Sequence, residues 1–182
     1  MPLPANIVLG VTGSIAAHKA VDIASQLSKL EHRVNVVLTV EAQRFVTDLP
    51  FKTMSRNPVV TDLYDEEDGW KPIHIRLADE ADMLLIAPAT ANCIAKLAHG
   101  ISDDALSCIA LAIRSEAKLV IAPAMNGKMW QHPATQANVA VLKQRGAVFL
   151  GPDEGMLSCG YEGLGRLMEL DDIIRGVIDL LK

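Results

Sequence analysis

Ile7-Val8-Leu9-Gly10-Val11-Thr12-Gly13-Ser14 is the stretch of sequence that decides the fold. Its first five residues form a short apolar run, as expected of a buried strand. Ser14 is a good N-cap, and apolar residues follow it at helical spacing as far as Leu30. A strand that passes directly into a helix places backbone N–H groups, the positive end of the helix dipole and two hydroxyl groups at the carboxyl edge of a sheet. The sequence therefore predicts an anion-binding turn at this edge.

The rest of the chain repeats this alternation of strand and helix. Predicted strands cover 7–11, 34–38, 83–87, 119–122 and 147–150. Predicted helices cover 14–30, 91–98, 104–113 and 133–145, and a last helix follows Asp171 and Asp172. This order predicts one α/β domain over residues 1–182, a three-layer Rossmann-like or flavodoxin-like fold with a doubly wound parallel sheet. Residues 47–71 give no clear pattern. The glycine-rich residues 151–166 are expected to be irregular and to form a flexible substrate flap.

The composition limits the class of protein. Of 182 residues, 50% are hydrophobic and 21% charged, and the net charge is -5. Such an apolar chain either buries its sheet on both faces or covers surface with partner subunits. The sequence has no basic stripe for nucleic acid, no signal peptide and no apolar run of membrane-spanning length. Its three cysteines lack the spacing of a zinc site or a disulfide framework, so we expect a cytoplasmic protein without a metal.

The turn that contains Gly13 and Ser14 narrows the choice of ligand. It matches neither G-x-G-x-x-G nor G-x-x-x-x-G-K-[ST], and the second strand ends at Thr39 rather than at an acid suited to a ribose hydroxyl. A mononucleotide such as FMN fits this pattern better than NAD or ATP. Taken alone, the turn is explained equally well if Gly13 only permits a tight turn and Ser14 only caps the helix.

A second hydroxyl-rich turn, Ala87-Pro88-Ala89-Thr90-Ala91-Asn92-Cys93, follows another predicted strand. In the simplest interpretation Thr90 is a helix cap. The small residues around Thr90 and Asn92 also allow a planar ring or a phosphate to approach the backbone closely. Two such turns, each after a strand, favour a ligand more than one turn does.

Three polar side chains are candidates for chemistry. His74 lies among aliphatic residues shortly before a strand, where a histidine is more often structural than catalytic. Asn126 follows a strand and is either a turn residue or a group that holds a carboxylate at the sheet edge. Cys159 lies in the glycine-rich stretch, where a thiol can exchange a proton with a substrate. Cys93 and Cys108 are expected to be buried and inert.

Together these segments resemble the flavin-containing cysteine decarboxylases, a homo-oligomeric family. The resemblance covers nearly the whole chain. Its marks are Gly13-Ser14-Ile15, the segment around His74, Pro88-Ala89-Thr90-Ala91-Asn92, the block Pro123-Ala124-Met125-Asn126-Gly127-Lys128-Met129-Trp130 with the family pattern P-x-M-N-x-x-M-W, and the Cys159 flap. On its own, the block would be a turn whose Met125, Met129 and Trp130 belong to the core or to a subunit interface.

The resemblance implies a cofactor and a role for each site residue. The residues that would surround FMN are Gly13, Ser14, Ile15, Thr39, Thr90, Ala91, Asn92 and Cys93. His74 would be the active-site base, and Asn126 would bind the substrate carboxylate. Met129 would lie near the substrate, and Cys159 would be the proton donor. Cys93 stands where the family commonly has threonine, a departure that bears on any hydrogen bond from this side chain to the flavin.

The implied reaction is the FMN-dependent decarboxylation of 4'-phospho-N-pantothenoyl-L-cysteine to 4'-phosphopantetheine and CO2, in coenzyme A biosynthesis. Direct loss of CO2 would leave an unstabilised carbanion, so the reaction needs an electron sink. Oxidation of the thiol carbon to a thioaldehyde provides that sink, and loss of CO2 then gives an ene-thiolate. Reduction of the ene-thiolate, with Cys159 as proton donor, completes a cycle without net oxidation.

Other functions stay open on the sequence alone. A peptidyl-cysteine decarboxylase of lantibiotic maturation shares the Asn126 block but would not need Cys159. A flavin prenyltransferase shares the flavin turn and is expected to lack both features. A non-catalytic flavin-binding regulatory subunit is disfavoured because His74, Asn126 and Cys159 are all present.

The resemblance also implies partners. Family members assemble as trimers or dodecamers with flavin at subunit boundaries, so His74 and Cys159 need not act within one chain. Many bacterial relatives continue into a synthetase domain, whereas this sequence stops at Lys182. We therefore expect a phosphopantothenate-cysteine ligase either on a separate chain or in a part that has been cut away.

Overall fold

A parallel sheet forms the centre of the computed structural model, which describes residues 4–64, 71–156, 160 and 162–182. Within these residues the sheet has six strands: β1 (Asn6–Val11), β2 (Arg33–Leu38), β3 (Val59–Val60), β4 (Met83–Ala89), β5 (Lys118–Pro123) and β6 (Val148–Phe149). The α-helices are α1 (Ala20–Lys29), α2 (Asp48–Ser55), α3 (Ile73–Glu80), α4 (Ala91–His99), α5 (Ala105–Ala112), α6 (Gly127–Gln131), α7 (Pro133–Gln144) and α8 (Leu170–Leu180). Short 3₁₀ helices cover Ile15–Lys19 and Ala42–Arg44.

The strand order β3-β2-β1-β4-β5-β6 confirms the predicted doubly wound fold. β1 pairs in parallel with β2 on one side and with β4 on the other. The order of the strands reverses between β1 and β4, and ligands of open α/β sheets bind at such a point, beyond the carboxyl ends of the strands. The two predicted turns, which follow β1 and β4, therefore lie next to each other at this edge.

The sheet is buried on both faces, which explains the apolar composition. All seven residues of β4 are buried. One face packs against side chains such as Ile23 and Phe51, and the other against side chains such as Ile94 and Ile109. The side chains of a sheet covered on both faces form near-continuous hydrophobic runs, which is why the central strands could be recognised in the sequence.

The segment without a clear pattern, 47–71, contains α2 and the two-residue strand β3. Neither element is long enough to give a strong periodic signal. His74 lies in the first turn of α3, so a helix stands between it and the next strand. α3 was not predicted because this helix has only eight residues and its N-cap, Pro72, makes no side-chain capping hydrogen bond.

The expectation that 151–166 is irregular is wrong for much of this stretch. Two antiparallel strands, β7 (Asp153–Met156) and β8 (Glu162–Arg166), form a separate hairpin sheet. Glycines and exposed polar residues make up most of both strands, so they lack the β-branched pattern by which strands are recognised. Cys159 lies between β7 and β8 in sequence and falls outside the described residues.

Within the described ranges, no helix combines the length and the hydrophobicity needed to cross a lipid bilayer.

Candidate active site

A cavity of about 610 Å³ opens at the carboxyl ends of the central strands. Its size lies within the roughly 300–1,000 Å³ range of small-molecule and cofactor sites. The predicted site residues that line it are Gly13, Ser14, Ile15, Thr39, Thr90, Ala91, Asn92, Cys93, Asn126 and Met129. Folding thus brings residues from four strand ends into a single cavity.

The turn after β1 has the geometry of a helix N-terminus. The Ser14 hydroxyl oxygen accepts a hydrogen bond from the Ala16 backbone N–H at 3.3 Å, and the Ser14 N–H donates to the Thr12 carbonyl at 2.8 Å. The predicted N-cap at Ser14 is therefore confirmed, although the first turn it caps is 3₁₀. A Cβ atom on Gly13 would lie 2.4 Å from Cβ of Glu41, so only glycine allows the loop after β2 to close against this turn.

Hydroxyl groups on three neighbouring turns share one hydrogen-bonding pattern. Thr39 accepts from the Ala42 backbone N–H at 3.2 Å, and Thr90 accepts from the Cys93 N–H at 3.2 Å. Ser14 accepts a backbone N–H in the same way. Since each hydroxyl oxygen is held as an acceptor, its O–H can still donate to a phosphate oxygen or a ring carbonyl.

The N-terminus of α4 adds backbone donors to the cavity. Ala91 and Asn92 are the first two residues of the helix, and their N–H groups have no acceptor within the described part of the chain. Such N–H groups, together with the helix dipole, favour an anionic or electron-rich ligand. The predicted role of Thr90 as a cap is confirmed, and this role leaves the two donors exposed to the cavity.

Cys93 and Cys108 differ in burial. Cys93 is 8% exposed, and burial, assisted by the negative charge of Asp104, raises the pKa of its thiol to about 12. At neutral pH it is therefore a neutral thiol rather than a nucleophile. Cys108 was expected to be buried but is only half-buried, with its Sγ 3.4 Å from the Ser102 carbonyl oxygen. It lies on α5, where one side of the helix reaches the surface.

An ion cluster that sequence reasoning missed lies at the side of the cavity. Lys96 Nζ is 2.6 Å from Asp103 and 3.0 Å from Asp104, and both Lys96 and Asp104 line the cavity. Burial alone would lower the pKa of Lys96, but hydrogen bonds to the two aspartates outweigh it and raise the pKa. Asp104 and Ser107 form a capping box at the start of α5. The D-x-x-S spacing and the position of Lys96 four residues after Asn92 are signals that could have indicated the cluster.

Asn126 combines a structural role with a position in the cavity. It is the N-cap of α6, and its Oδ1 accepts a hydrogen bond from the Lys128 N–H at 2.9 Å. The adjacent Met125 N–H donates to the Gly165 carbonyl at 2.9 Å and so attaches β8 to this turn. Met129 is 51% exposed at the cavity, whereas Trp130 is buried in the core.

His74 is the predicted site residue that the structure keeps apart from the others. It is not one of the described residues that line the cavity. Its Nδ1 atom is buried and makes no hydrogen bond within the described ranges. Cys159 cannot be placed, because it falls outside those ranges. Met156, which immediately precedes the undescribed residues 157–159, lines the cavity.

Comparison with known proteins identifies the family. The flavoprotein family model matches residues 3–182. The chain belongs to the flavoprotein family. This flavoprotein is 44% identical over 176 residues to the probable phosphopantothenoylcysteine decarboxylase of Streptococcus mutans. The aligned region covers 97% of this chain and 98% of that relative. The chain is 46% identical over 170 residues to the coenzyme A biosynthesis bifunctional protein CoaBC of Bacillus subtilis, and the aligned region covers 93% of this chain but 41% of that protein. The chain thus spans about two fifths of the bifunctional relative.

A solved structure agrees with the fold of this flavoprotein. It is a PPC decarboxylase in which one cysteine is replaced by serine, complexed with pantothenoylaminoethenethiol. The TM-score is 0.85 with 30% sequence identity, over 97% of both chains. The predicted family resemblance is therefore confirmed.

The donors of the cavity fit a flavin. Hydroxyl and N–H donors from the turns after β1, β2 and β4 converge on one side of it. Apolar side chains line other parts, among them Leu106, Ala124 and Leu167. A planar ring with carbonyl groups and an anionic tail requires this combination of apolar walls and a few convergent polar groups.

Proposed function

We propose that this flavoprotein binds FMN and decarboxylates 4'-phospho-N-pantothenoyl-L-cysteine to 4'-phosphopantetheine and CO2. The observation that carries the proposal is the presence of Asn126 in the same cavity as the hydroxyl and N–H donors of the two turns. A carboxylate held by Asn126 would thereby lie beside a bound flavin. The Streptococcus mutans relative, which matches along almost its whole length, supports this choice of substrate.

FMN is the flavin that the donor set suits best. The O–H groups of Ser14, Thr39 and Thr90 and the N–H groups of Ala91 and Asn92 are enough to hold one phosphate and one ring system. The turn after β1 does not match the G-x-G-x-x-G fingerprint of dinucleotide-binding sites. When bound, FMN supplies a two-electron acceptor and donor close to the substrate thiol.

Asn126 orients the substrate carboxylate through a neutral amide. Its Oδ1 is used as the acceptor of the α6 cap, so the Nδ2 amino group is the part that can donate to a carboxylate. A cation at this position would stabilise the carboxylate of the ground state and so raise the activation barrier to loss of CO2. A neutral donor fixes the orientation without that penalty.

His74 acts as the base that removes a proton in the first oxidation, and we infer that it does so from a neighbouring subunit. In its own chain it lies outside the cavity. The cavity is therefore incomplete without a second copy, in keeping with a trimer or dodecamer in which FMN lies at a subunit boundary. Ile15 lines the cavity, and Val40 stands in sequence between Thr39 and Glu41, which also line it. Both side chains are large, apolar and substantially exposed in the single chain. They suit such a boundary.

Cys159 is the proton donor for the final reduction, on a flap of about residues 151–166. Cys93 is a poor donor because its thiol is buried and its pKa is about 12. Cys108 is outside the described lining of the cavity. Cys159 follows Met156, which does line it, by three residues. An ethenethiol, such as the one bound to the solved cysteine-to-serine variant, is the species expected when CO2 has left and reduction has not followed.

The ligase that makes the substrate is the proposed functional partner. CoaBC of Bacillus subtilis is bifunctional and extends well beyond the region matched here. We infer that a phosphopantothenate-cysteine ligase supplies the substrate and that both activities work in the cytoplasm, where cysteine thiols stay reduced.

Purification of the full chain with its flavin tests the proposed function. The protein should be yellow, release about one FMN per subunit on denaturation, and form CO2 from phosphopantothenoylcysteine. A peptide with a carboxyl-terminal cysteine is the comparison substrate. A colourless protein without activity would remove the proposal, and faster turnover of the peptide would replace it with peptidyl-cysteine decarboxylation. Bound flavin without CO2 from either substrate would indicate a regulatory subunit.

A further inference from the structure

Thr12 connects the two turns that form the flavin side of the cavity. It is 2% exposed. Its hydroxyl donates a hydrogen bond to the Pro88 carbonyl at 2.8 Å and accepts one from the Thr90 backbone N–H at 3.0 Å. The Thr12 backbone N–H also donates to the Pro88 carbonyl at 3.3 Å. One residue after β1 therefore binds both the last part of β4, at Pro88, and the N-cap of α4, at Thr90.

The hydrogen bonding of Thr12 differs from that of the three hydroxyl groups at the other flavin-side positions of the cavity. Ser14, Thr39 and Thr90 accept an N–H from their own turn and can still donate to a ligand. The Thr12 hydroxyl has its proton engaged with Pro88 and its oxygen engaged with Thr90. Thr12 therefore lines the cavity, but its hydroxyl has no proton left to donate to a bound ligand.

The strand pairing between β1 and β4 stops before the two turns, and the hydrogen bonds of Thr12 join the chain segments beyond that point. The paired register of β1 and β4 ends at Gly10 and Ile86, before either turn begins. On its other side, the end of β4 is held by pairing of Ala89 with Pro123. Among the described residues, the hydrogen bonds that join the turn after β1 to the turn after β4 all involve Thr12.

We propose that Thr12 is a positioning residue that fixes the turn after β4 relative to the turn after β1, and thereby sets the affinity for the flavin. This inference rests on the part of the proposed function that concerns flavin binding. Thr90 is the N-cap of α4, so the direction of its N–H determines where the next two N–H groups point. With Thr12 in place, one ligand can accept hydrogen bonds from the N–H groups of Ala91 and Asn92 and from the Ser14 hydroxyl.

Thr12→Val is the variant that tests this role, because valine keeps the volume of threonine and removes both hydrogen-bonding functions. The Thr90 N–H would then be left without its partner. We expect the dissociation constant for FMN to rise about tenfold or more, as for loss of a buried hydrogen-bond partner. Thr12→Ser keeps the hydroxyl and should restore binding to within about threefold of the original protein. Thr135→Val, at a buried threonine on α7, is the matched control and should leave FMN affinity unchanged.

The experiment measures FMN dissociation from the full-length holoprotein by the return of flavin fluorescence, beside the thermal unfolding temperature of each variant. Weaker binding in Thr12→Val, with recovery in Thr12→Ser, supports the proposal. Equal affinity in Thr12→Val and the original protein would overturn it, as would equal loss in the valine and serine variants. Because only protein and FMN are used, a protein that binds flavin but has no decarboxylase activity still gives a valid result. An original protein that binds no flavin would remove both this inference and the proposed function.

Hydrogen exchange tests the same point should Thr12→Val fail to fold. In the original protein, at low and at saturating FMN, the Thr90 amide should be equally protected because Thr12 holds it in both cases. The amides of Ala91 and Asn92 should gain protection only as FMN is added. A Thr90 amide that exchanges as fast as that of Ala91 at low FMN would contradict the assignment.

Discussion

The carbonyl oxygen of Gly165 accepts a hydrogen bond from the Met125 backbone N–H at 2.9 Å, and this bond attaches the β7–β8 hairpin to the turn that carries Asn126. The approach is so close that a Cβ atom on residue 165 would lie 2.3 Å from the Met125 carbonyl oxygen. Gly165 also has a φ of +152°, a conformation that favours glycine. Because Cys159 lies between the two strands in sequence, this contact relates the proposed flap to the proposed carboxylate-binding residue.

Gly165→Ala is expected to lower the rate of decarboxylation by about tenfold or more while FMN stays bound. The added methyl group must push β8 away from the Met125 carbonyl, so the flap and Asn126 lose their alignment, and small misplacements near a reacting group are costly. Steady-state turnover and the flavin absorbance of the purified variant check this. Gly146→Ala is the matched control, since residue 146 also has a positive φ but no atom within 4 Å of an added Cβ. Equal turnover in both variants would show that the close contact has no functional role.

Asn126→Asp separates the capping role of this residue from its proposed role in substrate binding. Aspartate caps a helix as well as asparagine does, and its charge is favourable at a helix N-terminus, so stability should be unchanged or slightly higher. Repulsion of the substrate carboxylate should lower turnover by about a hundredfold or more, with FMN still bound. Turnover, FMN content and thermal unfolding are measured on the same sample. Full activity in this variant would contradict the assignment.

His32 is expected to make stability depend on pH. It is 4% exposed, its Nδ1 accepts the Ala5 N–H at 3.2 Å, and its Nε2 is buried without a partner among the described residues. Burial lowers the pKa of His32 in the folded protein below the ordinary value of 6.5. The unfolded chain therefore binds more protons, and the free energy of unfolding should fall as the pH drops through 6.5, until the pH is below the folded pKa. Each unit by which folding lowers the pKa of His32 reduces the free energy of unfolding at acidic pH by about 1.4 kcal/mol.

Denaturation with urea between pH 7.5 and 5.0 measures this dependence. In His32→Asn the amide oxygen can accept the Ala5 N–H in place of Nδ1, and no group titrates at this position. The variant should lose less stability than the original protein over the same interval. Parallel curves for the two proteins would mean that His32 does not contribute to acid sensitivity.

The central strands and the long helices could be predicted from the sequence because burial on both faces gives strong, regular hydrophobic patterns. β4 and α8 are good examples. The elements that were missed are short, glycine-rich or polar. β3 has two residues, and β7 and β8 contain glycines where a strand usually carries β-branched side chains. Their conformation depends on contacts such as that between Gly165 and Met125, which no local pattern encodes.

The candidate site was predictable where it consists of turns after strands, since parallel strands end at one edge. Ser14, Thr90 and Asn126 are each a cap as well as a cavity residue, so the structural interpretation is confirmed and the functional one stays a prediction. The position of His74 outside the cavity of its own chain could not be derived from local sequence, because it depends on how α3 packs. The bridge formed by Thr12 depends on two turns 76 residues apart in the chain.

Cys159→Ser is expected to stop the reaction after CO2 has been lost. Serine is a far weaker acid than cysteine, so the protonation that accompanies the final reduction should fail. Product analysis should then reveal an ene-thiol, with CO2 formed in the first turnover. Cys108→Ser, at a half-buried cysteine away from the described cavity lining, should retain full activity. Undiminished phosphopantetheine from Cys159→Ser would disprove the role as donor.

Mass spectrometry of the product formed by the original protein from phosphopantothenoylcysteine tests the central claim most directly. The proposed function requires the saturated product, 4'-phosphopantetheine, whose mass is that of the substrate less CO2. An ene-thiol two hydrogens lighter as the only product, or unchanged substrate with a flavin-loaded protein, would contradict it.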